Sequence, residues 1–239
     1  MLTANGCDVL VPEGQLCCGA LAAHAGVRDV ARQLARENLR AFVLVDVDAI
    51  VTNAAGCGST LKEYDHLFTL GEPEYTRAAA FGKKARDVTE FLAAIGLCAP
   101  LKALPLRVTY QDSCHLLHGQ KVREAPRELL RSIPGLDLVE LPHSELCCGS
   151  AGVYNVTQTD ASLELLAEKM RFSDAGADHR HFKFGLPAAD ACGRGNAAHQ
   201  SAGFACDRVV GPSYYELNGA HANWRYSCSQ QLYPNLRPS

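Results

Sequence analysis

The 239-residue sequence contains no unbroken apolar run near the roughly 20 residues that a membrane-spanning helix needs, although 47% of its residues are hydrophobic. Charge of neither sign prevails. Lys and Arg number 23 against 26 Asp and Glu, and a formal charge of −3 gives no reason to expect nucleic acid. The stretch Met1-Leu-Thr-Ala-Asn-Gly-Cys7 lacks the basic-then-apolar order of a secretory signal. Also missing are a Ser-His-Asp arrangement, a phosphate-cradling glycine loop and the dinucleotide fingerprint, which leaves hydrolase and nucleotide readings weak.

Cysteine, by contrast, is abundant. Eleven cysteines without a secretory signal argue for metal or redox work over a disulfide framework, and an odd number cannot pair completely. They are organised around Leu146-Cys147-Cys148-Gly149 and its echo, Leu16-Cys17-Cys18-Gly19. Adjacent cysteines do not readily bridge to each other, and the glycine that follows lets the backbone approach something bulky. Two copies make a chance pairing of buried thiols a poor account. Soft sulfur ligands select zinc, copper(I) or iron–sulfur clusters, so thiolate ligation of metal is the expectation.

Along the chain, strand and helix signals alternate. Strands are expected at Cys7–Pro12, Asp48–Thr52, Arg107–Tyr110 and Leu136–Leu141. Helices are expected at Ala20–Val45, Leu61–Leu70, Asp87–Leu97, Pro126–Ile133 and Leu163–Met170, with Asn53–Gly58 as a turn. In the first helix Val27, Val30, Ala31 and Leu34 share one face and Arg28, Arg32 and Arg36 the other, which reads as a solvated basic row. Asp87 with Glu90 three residues later has capping-box spacing. The order implies an α/β fold of two tandem domains with largely parallel sheets. Residues 1–97 form the first domain, 98–105 a linker holding Cys98, 106–178 the second domain, and 179–239 a tail.

The two domains are copies. Asp48 and Asp178 each lie 30 residues after the second cysteine of the pair (48 − 18 = 178 − 148), so the repeat keeps register to Asp178. The first copy then reaches Cys57, 39 residues beyond Cys18, whereas the equivalent position in the second holds Pro187 (148 + 39). Cys114 precedes Cys147 by 33 residues, an offset that falls before Met1 in the first copy. Each copy therefore shows three of four cysteines: Cys17, Cys18 and Cys57, then Cys114, Cys147 and Cys148. Strand ends in open α/β sheets are where ligand sites gather, so each three is expected to converge.

Leu146-Cys-Cys-Gly-Ser-Ala-Gly-Val-Tyr-Asn-Val-Thr-Gln158, Thr52-Asn-Ala-Ala-Gly-Cys-Gly58 and Asp112-Ser-Cys-His-Leu-Leu-His-Gly119 resemble the cysteine-rich CCG domains of respiratory iron–sulfur subunits and heterodisulfide reductases. Within that family the chain looks like the iron–sulfur subunit of bacterial glycolate oxidase, from about Leu2 to Asp178. The resemblance implies an electron-transfer subunit of a 2-hydroxy-acid oxidase, relaying electrons from FAD on a partner subunit towards a respiratory acceptor such as membrane quinone. It implies an iron–sulfur cluster of 4Fe-4S type, including the non-cubane form, on Cys17, Cys18, Cys57, Cys114, Cys147 and Cys148. Substrate chemistry is expected on the flavin-bearing partners, and the location in the cytoplasm or at the inner membrane face. His24, His143, His115, His118, Tyr154 and Asn155 stand near the motifs as candidates for hydrogen bonds to the cluster. Other readings are a subunit for lactate utilisation or glycerol-3-phosphate oxidation, or a zinc-holding scaffold. The ferredoxin-like domain with runs of C-x-x-C-x-x-C-x-x-x-C type that the family usually carries is missing, so a truncated fragment is expected.

Beyond Asp178 the pattern changes. His-Arg-His-Phe-Lys-Phe-Gly-Leu-Pro187 shows none of the apolar strand that follows Asp48. Suitable codons for Asp178 to Pro187, read one base later, spell Ile-Ile-Ala-Thr-Ser-Asn-Ser-Gly-Cys, which restores strand, turn and cysteine. The tail also holds the only tryptophan, four of nine histidines, and Cys192, Cys206 and Cys228 at no ligand spacing. Residues 179–239 thus read as out of frame or disordered, with a divergent extension as the alternative.

Overall fold

A computed structural model describes residues 1–43, 45–174 and 180–183 of the chain. Its first half runs through α1 (Ala20–His24), α2 (Arg28–Val43), β1 (Ile50–Thr52), α3 (Ala55–Lys62), a 3-10 turn (Tyr64–Leu67), α4 (Pro73–Lys84), β2 (Ala85–Asp87) and α5 (Val88–Ile95). The second half has β3 (Arg107–Gln111), a π-helical turn (His115–Gly119), α6 (Glu124–Arg131), β4 (Asp137–Glu140), α7 (Tyr154–Thr157), α8 (Thr159–Asp174) and β5 (Arg180–Lys183). β1 and β2 pair in parallel, and β3 lies between β4 and β5, parallel to both. This is the expected α/β class with parallel sheets.

Several elements differ from the sequence reading. The long helix from Ala20 is two, because Gly26 takes a left-handed turn (φ +77) between α1 and α2. Cys7–Pro12 is not a strand, and Val9, Leu10 and Val11 are exposed. Its counterpart β4 pairs with β3, and among the described residues the first half has no strand equivalent to β3 to receive it. Asn53–Gly58 is not a simple turn, since α3 starts at Ala55 and takes Cys57 into its first turn. Leu61–Leu70 is not one helix: α3 ends at Lys62 and a 3-10 turn follows.

Arg180–Lys183 forms a strand without an apolar pattern, in register Val108↔Arg180 to Gln111↔Lys183. Ile50 and Arg180 open β1 and β5 at the repeat offset of the cysteines (180 − 50 = 147 − 17). The rest of the expected tail, with Cys192, Cys206 and Cys228, lies outside the described residues.

The main core sits in the first half, where α2, β1, the 3-10 turn and α4 meet around Ala31, Ala35, Leu39, Tyr64 and Phe81. Tyr64 is fully buried and stacks on Phe81 at 5.3 Å between ring centroids, a burial that contributes about 1.5–3 kcal/mol. The basic row of α2 is solvated only in part, with Arg28 exposed. Arg32 pairs with Glu72 at 2.7 Å and Arg36 with Glu74 at 3.0 Å, and both guanidinium groups lie over Phe68. Their work is to fasten α2 to α4. Asp87 caps α5 with the full capping box shared with Glu90.

The halves meet where α3 packs on the π-helical turn. Ala55, Leu116 and Val122 make a small buried cluster there, and Gln120 Nε2 donates to the Ala55 carbonyl at 2.9 Å. A methyl group on Gly119 would strike the Ser59 side chain, so the two segments lie close together. A second tie joins the connecting segment to the amino terminus: the Asn5 side-chain oxygen accepts from the Cys98 and Ala99 amides at 2.8 and 3.0 Å.

Candidate metal centres

Eight cysteines lie among the described residues, none in a disulfide. Cys18 is buried, with Cys17 and Cys57 acting on its thiol. Hydrogen bonding within this three, first with Cys17 and then with Cys57, together with burial holds Cys18 well above the usual thiol range. The other end of the contact responds in the opposite sense. The contact with Cys18 acts on Cys57 in the lowering direction, against its own burial. Cys114, directly before the π-helical turn, hydrogen-bonds with Cys147 and feels Cys148; burial first, then these neighbours, push it up. The Gly149 amide donates to Cys147 Sγ at 3.3 Å. Cys7 and Cys98 belong to neither group.

Cys17 and Cys57 thus both act on Cys18 in one half, and Cys147 and Cys148 both act on Cys114 in the other. Among the described residues no three His, Cys, Asp or Glu form a group that could hold a single metal ion. An iron–sulfur cluster, which takes its thiolates on several iron atoms, is a different group from a single ion. All-sulfur donors beside backbone amides suit such a group: the Ala20 amide points at Cys18 as the Gly149 amide does at Cys147.

Each Cys-Cys-Gly loop lies under a 16-residue helix, α2 or α8. Gly19 (φ +80) brings its Cα against Ala31, where an added Cβ would be 3.3 Å from the Ala31 Cα. Gly149 (φ +85) sits so close to Ser162 that a Cβ would overlap the Ser162 carbonyl oxygen, and Ser162 Oγ donates to the Gly149 carbonyl at 2.7 Å. Ala31 and Ser162 are both fourth in their helices. The bulky object approached by these glycines is therefore a helix backbone, and close helix contact is what fixes each cysteine pair.

Different side chains complete the two loops. In the first, buried Asn38 accepts from the Leu16 amide at 2.7 Å and donates to the Cys17 carbonyl and the Tyr64 hydroxyl, each at 3.0 Å. Tyr64 in turn donates to the Cys18 carbonyl at 3.0 Å. In the second, buried Lys169 donates to the carbonyls of His143, Ser144 and Leu146 at 2.6, 2.9 and 3.1 Å. Ser144 Oγ donates to Asp112 at 2.7 Å, and Asp112 accepts two 2.8 Å bonds from Arg127. Burial alone would raise Asp112, but Arg127 and Ser144 outweigh it and hold the carboxyl below the usual range. Asn38, Tyr64, Lys169 and Arg127 escaped the sequence reading. Of this network only Asp112 stood inside a quoted motif.

The histidines play other parts. His24 and His115 face each other across the halves, 5.4 Å between centroids, and burial together with His24 lowers His115. His118 is exposed. His143 turns its ring onto Phe172 at 4.7 Å, adopts φ 54, and serves the loop through its carbonyl. Tyr154 is exposed and Asn155 half-buried.

Repeated parallel α/β halves, each with a Cys-Cys-Gly loop clamped under a helix, define a tandem cysteine-rich protein. The model of the CCG cysteine-rich domain family matches residues 1–62 and 108–179, and the chain belongs to that family. It is 44% identical over 173 residues to the "Probable glycolate oxidase iron-sulfur subunit" of Bacillus subtilis, covering 71% of this chain and 39% of that protein. Against "Lactate utilization protein A" of Geobacillus kaustophilus the identity is 36% over 182 residues, 75% of each chain. A subunit of the fumarate reductase (CoM/CoB) of Methanothermobacter marburgensis is 41% identical over 154 residues, 64% of this chain and 28% of that one. The chain spans well under half the length of the first and third of these relatives.

Proposed function

We propose that the chain is the electron-relaying iron–sulfur part of an oxidoreductase that acts on a 2-hydroxy acid, glycolate in the first instance. Cys17, Cys18 and Cys57 hold one 4Fe-4S-type group, cubane or non-cubane, and Cys114, Cys147 and Cys148 a second. What carries the reading is the gathering of the cysteines into two threes, one per half, each with a thiol pair fixed by a helix. When bound, such groups supply one-electron transfer between a flavin on a partner subunit and a respiratory acceptor.

The chain's own residues do the holding. Asn38 and Tyr64 fix the carbonyls of Cys17 and Cys18; Lys169 and Asp112 fix the loop leading to Cys147. The Ala20 and Gly149 amides offer N–H groups to sulfur. Oxidation of the hydroxy acid belongs to the flavin-bearing partners. No helix among the described residues is long and apolar enough to cross a membrane.

Lactate is the second reading, because the lactate-utilisation relative matches over three quarters of both chains. Both acids carry the same 2-hydroxy carboxylate. Anaerobic reconstitution followed by iron, zinc and acid-labile sulfide analysis tests the common part. Iron and sulfide in comparable amounts, lost on Cys→Ser replacement, are expected. Zinc without sulfide would overturn the reading in favour of a scaffold. Pull-down with flavin subunits, then glycolate or lactate turnover, separates the substrates.

A further inference from the structure

Helices α2 and α8 occupy the same place over the two Cys-Cys-Gly loops, and both are 16 residues long. Ala31 and Ser162, the fourth residues, meet the two loop glycines. Counting on, the eleventh residues are Asn38 and Lys169. Each reaches down from its helix to backbone groups of the loop beneath it, Asn38 to Leu16 and Cys17, Lys169 to His143, Ser144 and Leu146. One structural office is filled by a neutral amide in the first half and by an amine in the second.

The amine is charged by geometry. Three carbonyl oxygens accept from one Nζ, and only an ammonium has three hydrogens to donate. Among the described residues no carboxylate lies within ion-pair distance of Lys169. The charged groups that it feels are Glu145 and Asp112 together with the Cys114 and Cys148 sulfurs. Asp112 is already matched by Arg127 at 2.8 Å, and Glu145 is half exposed, where water screens it. The nearest uncompensated negative charge would be that of the second cysteine site itself. The side chains that hold the carbonyls of the first loop, Asn38 and Tyr64, are both uncharged.

We propose that the Asn38/Lys169 exchange is what distinguishes the two cysteine sites electrically: Lys169 is a positioning residue whose fixed positive charge makes the second site the more readily reduced. This rests on the iron–sulfur reading above. Each one-electron reduction adds one negative charge at a site, and a buried cation beside it favours the reduced form. Electrons that reach the chain therefore settle on the Cys114, Cys147, Cys148 side.

The test is a potentiometric titration of the reconstituted full chain with dithionite and mediators, followed by electron paramagnetic resonance. Cys148→Ser assigns which midpoint belongs to the second site. Lys169→Gln keeps amide donors for the loop carbonyls and removes the charge; Lys169→Arg keeps both. Lys169→Gln is expected to shift the one-electron equilibrium of the second site about tenfold towards the oxidised form, about 59 mV lower, and to leave the first unchanged. Lys169→Arg is expected to restore the wild-type midpoint, which a merely structural role would not do. Should Lys169→Gln fail to fold, Asn38→Lys gives the converse test, raising the midpoint of the first site. Clusters present with midpoints unmoved by these changes overturn this inference alone. A wild-type chain that takes up no iron and sulfide overturns the iron–sulfur reading and this inference with it.

Discussion

Replacing Arg127 by Met is expected to destabilise the second half by about 3 kcal/mol at neutral pH. Arg127 and Asp112 have side chains only 3% and 2% exposed, and they form two 2.8 Å bonds. Removing one partner of a buried ion pair costs about 3–5 kcal/mol, mostly because the other charge is left without compensation. The low end applies here, since Ser144 still donates to Asp112 and methionine refills part of the space over the Tyr110 ring. With a urea slope of about 2 kcal/mol/M, the midpoint falls by about 1.5 M at unchanged slope.

The pH dependence gives a sharper check. In the wild type Asp112 is depressed, so its contribution is present above the unfolded carboxyl range and lost as pH falls through the folded value. Without Arg127, burial raises Asp112; the protonated acid is tolerated and the penalty eases as pH falls. Wild type and variant therefore converge on acidification. Urea titrations at pH 7 and at about pH 4 measure the gap. A neutral-pH loss below about 0.5 kcal/mol, or a gap that widens in acid, would refute the reasoning.

Gly149→Ala is expected to cost about 2–5 kcal/mol, combining the left-handed backbone with overlap on Ser162. Gly19→Ala, with 3.3 Å to Ala31, should cost only about 1–2 kcal/mol; thermal melts that reverse this order would count against the helix-clamp account. Cys18→Ser and Cys148→Ser are each expected to remove at least half of the iron and sulfide taken up by the reconstituted chain, read by metal analysis, whereas Cys98→Ser leaves them unchanged. For residues 179–239 we propose translation out of the ancestral frame. The nucleotide sequence one base along should encode an apolar strand followed by Gly-Cys, and any other reading there ends that proposal.

Local signals were legible in the sequence. The capping box at Asp87 needs only its own four residues, and the repeat of the Cys-Cys-Gly motifs pointed to Cys18 and Cys114, each of which has two of the named cysteines acting on it. Features that depend on a distant partner were not. Val9–Val11 looks like a strand but has none to pair with, while Arg180–Lys183 has no strand pattern and is made one by β3. Helix α8 shows why Lys169 was missed. Its leucines at 163 and 165 are 53% and 38% exposed, and Ser162 and Lys169 are the residues turned inward. Periodicity read from hydrophobic residues points to the wrong face when the thing to be buried is a loop of carbonyls.

The contact between α3 and the π-helical turn has a thermodynamic side. Cys57 stands in the first turn of α3 and Cys114 directly before the π-helical turn, and the two segments share the Ala55, Leu116 and Val122 cluster and the Gln120 bond. Gly119 lies against the Ser59 side chain, which adds to this contact. Whatever orders one cysteine group therefore spends part of the entropy needed to order its twin. Under the proposed function, filling of the two sites is therefore expected to be cooperative, each filled site raising the affinity of the empty one by the same factor.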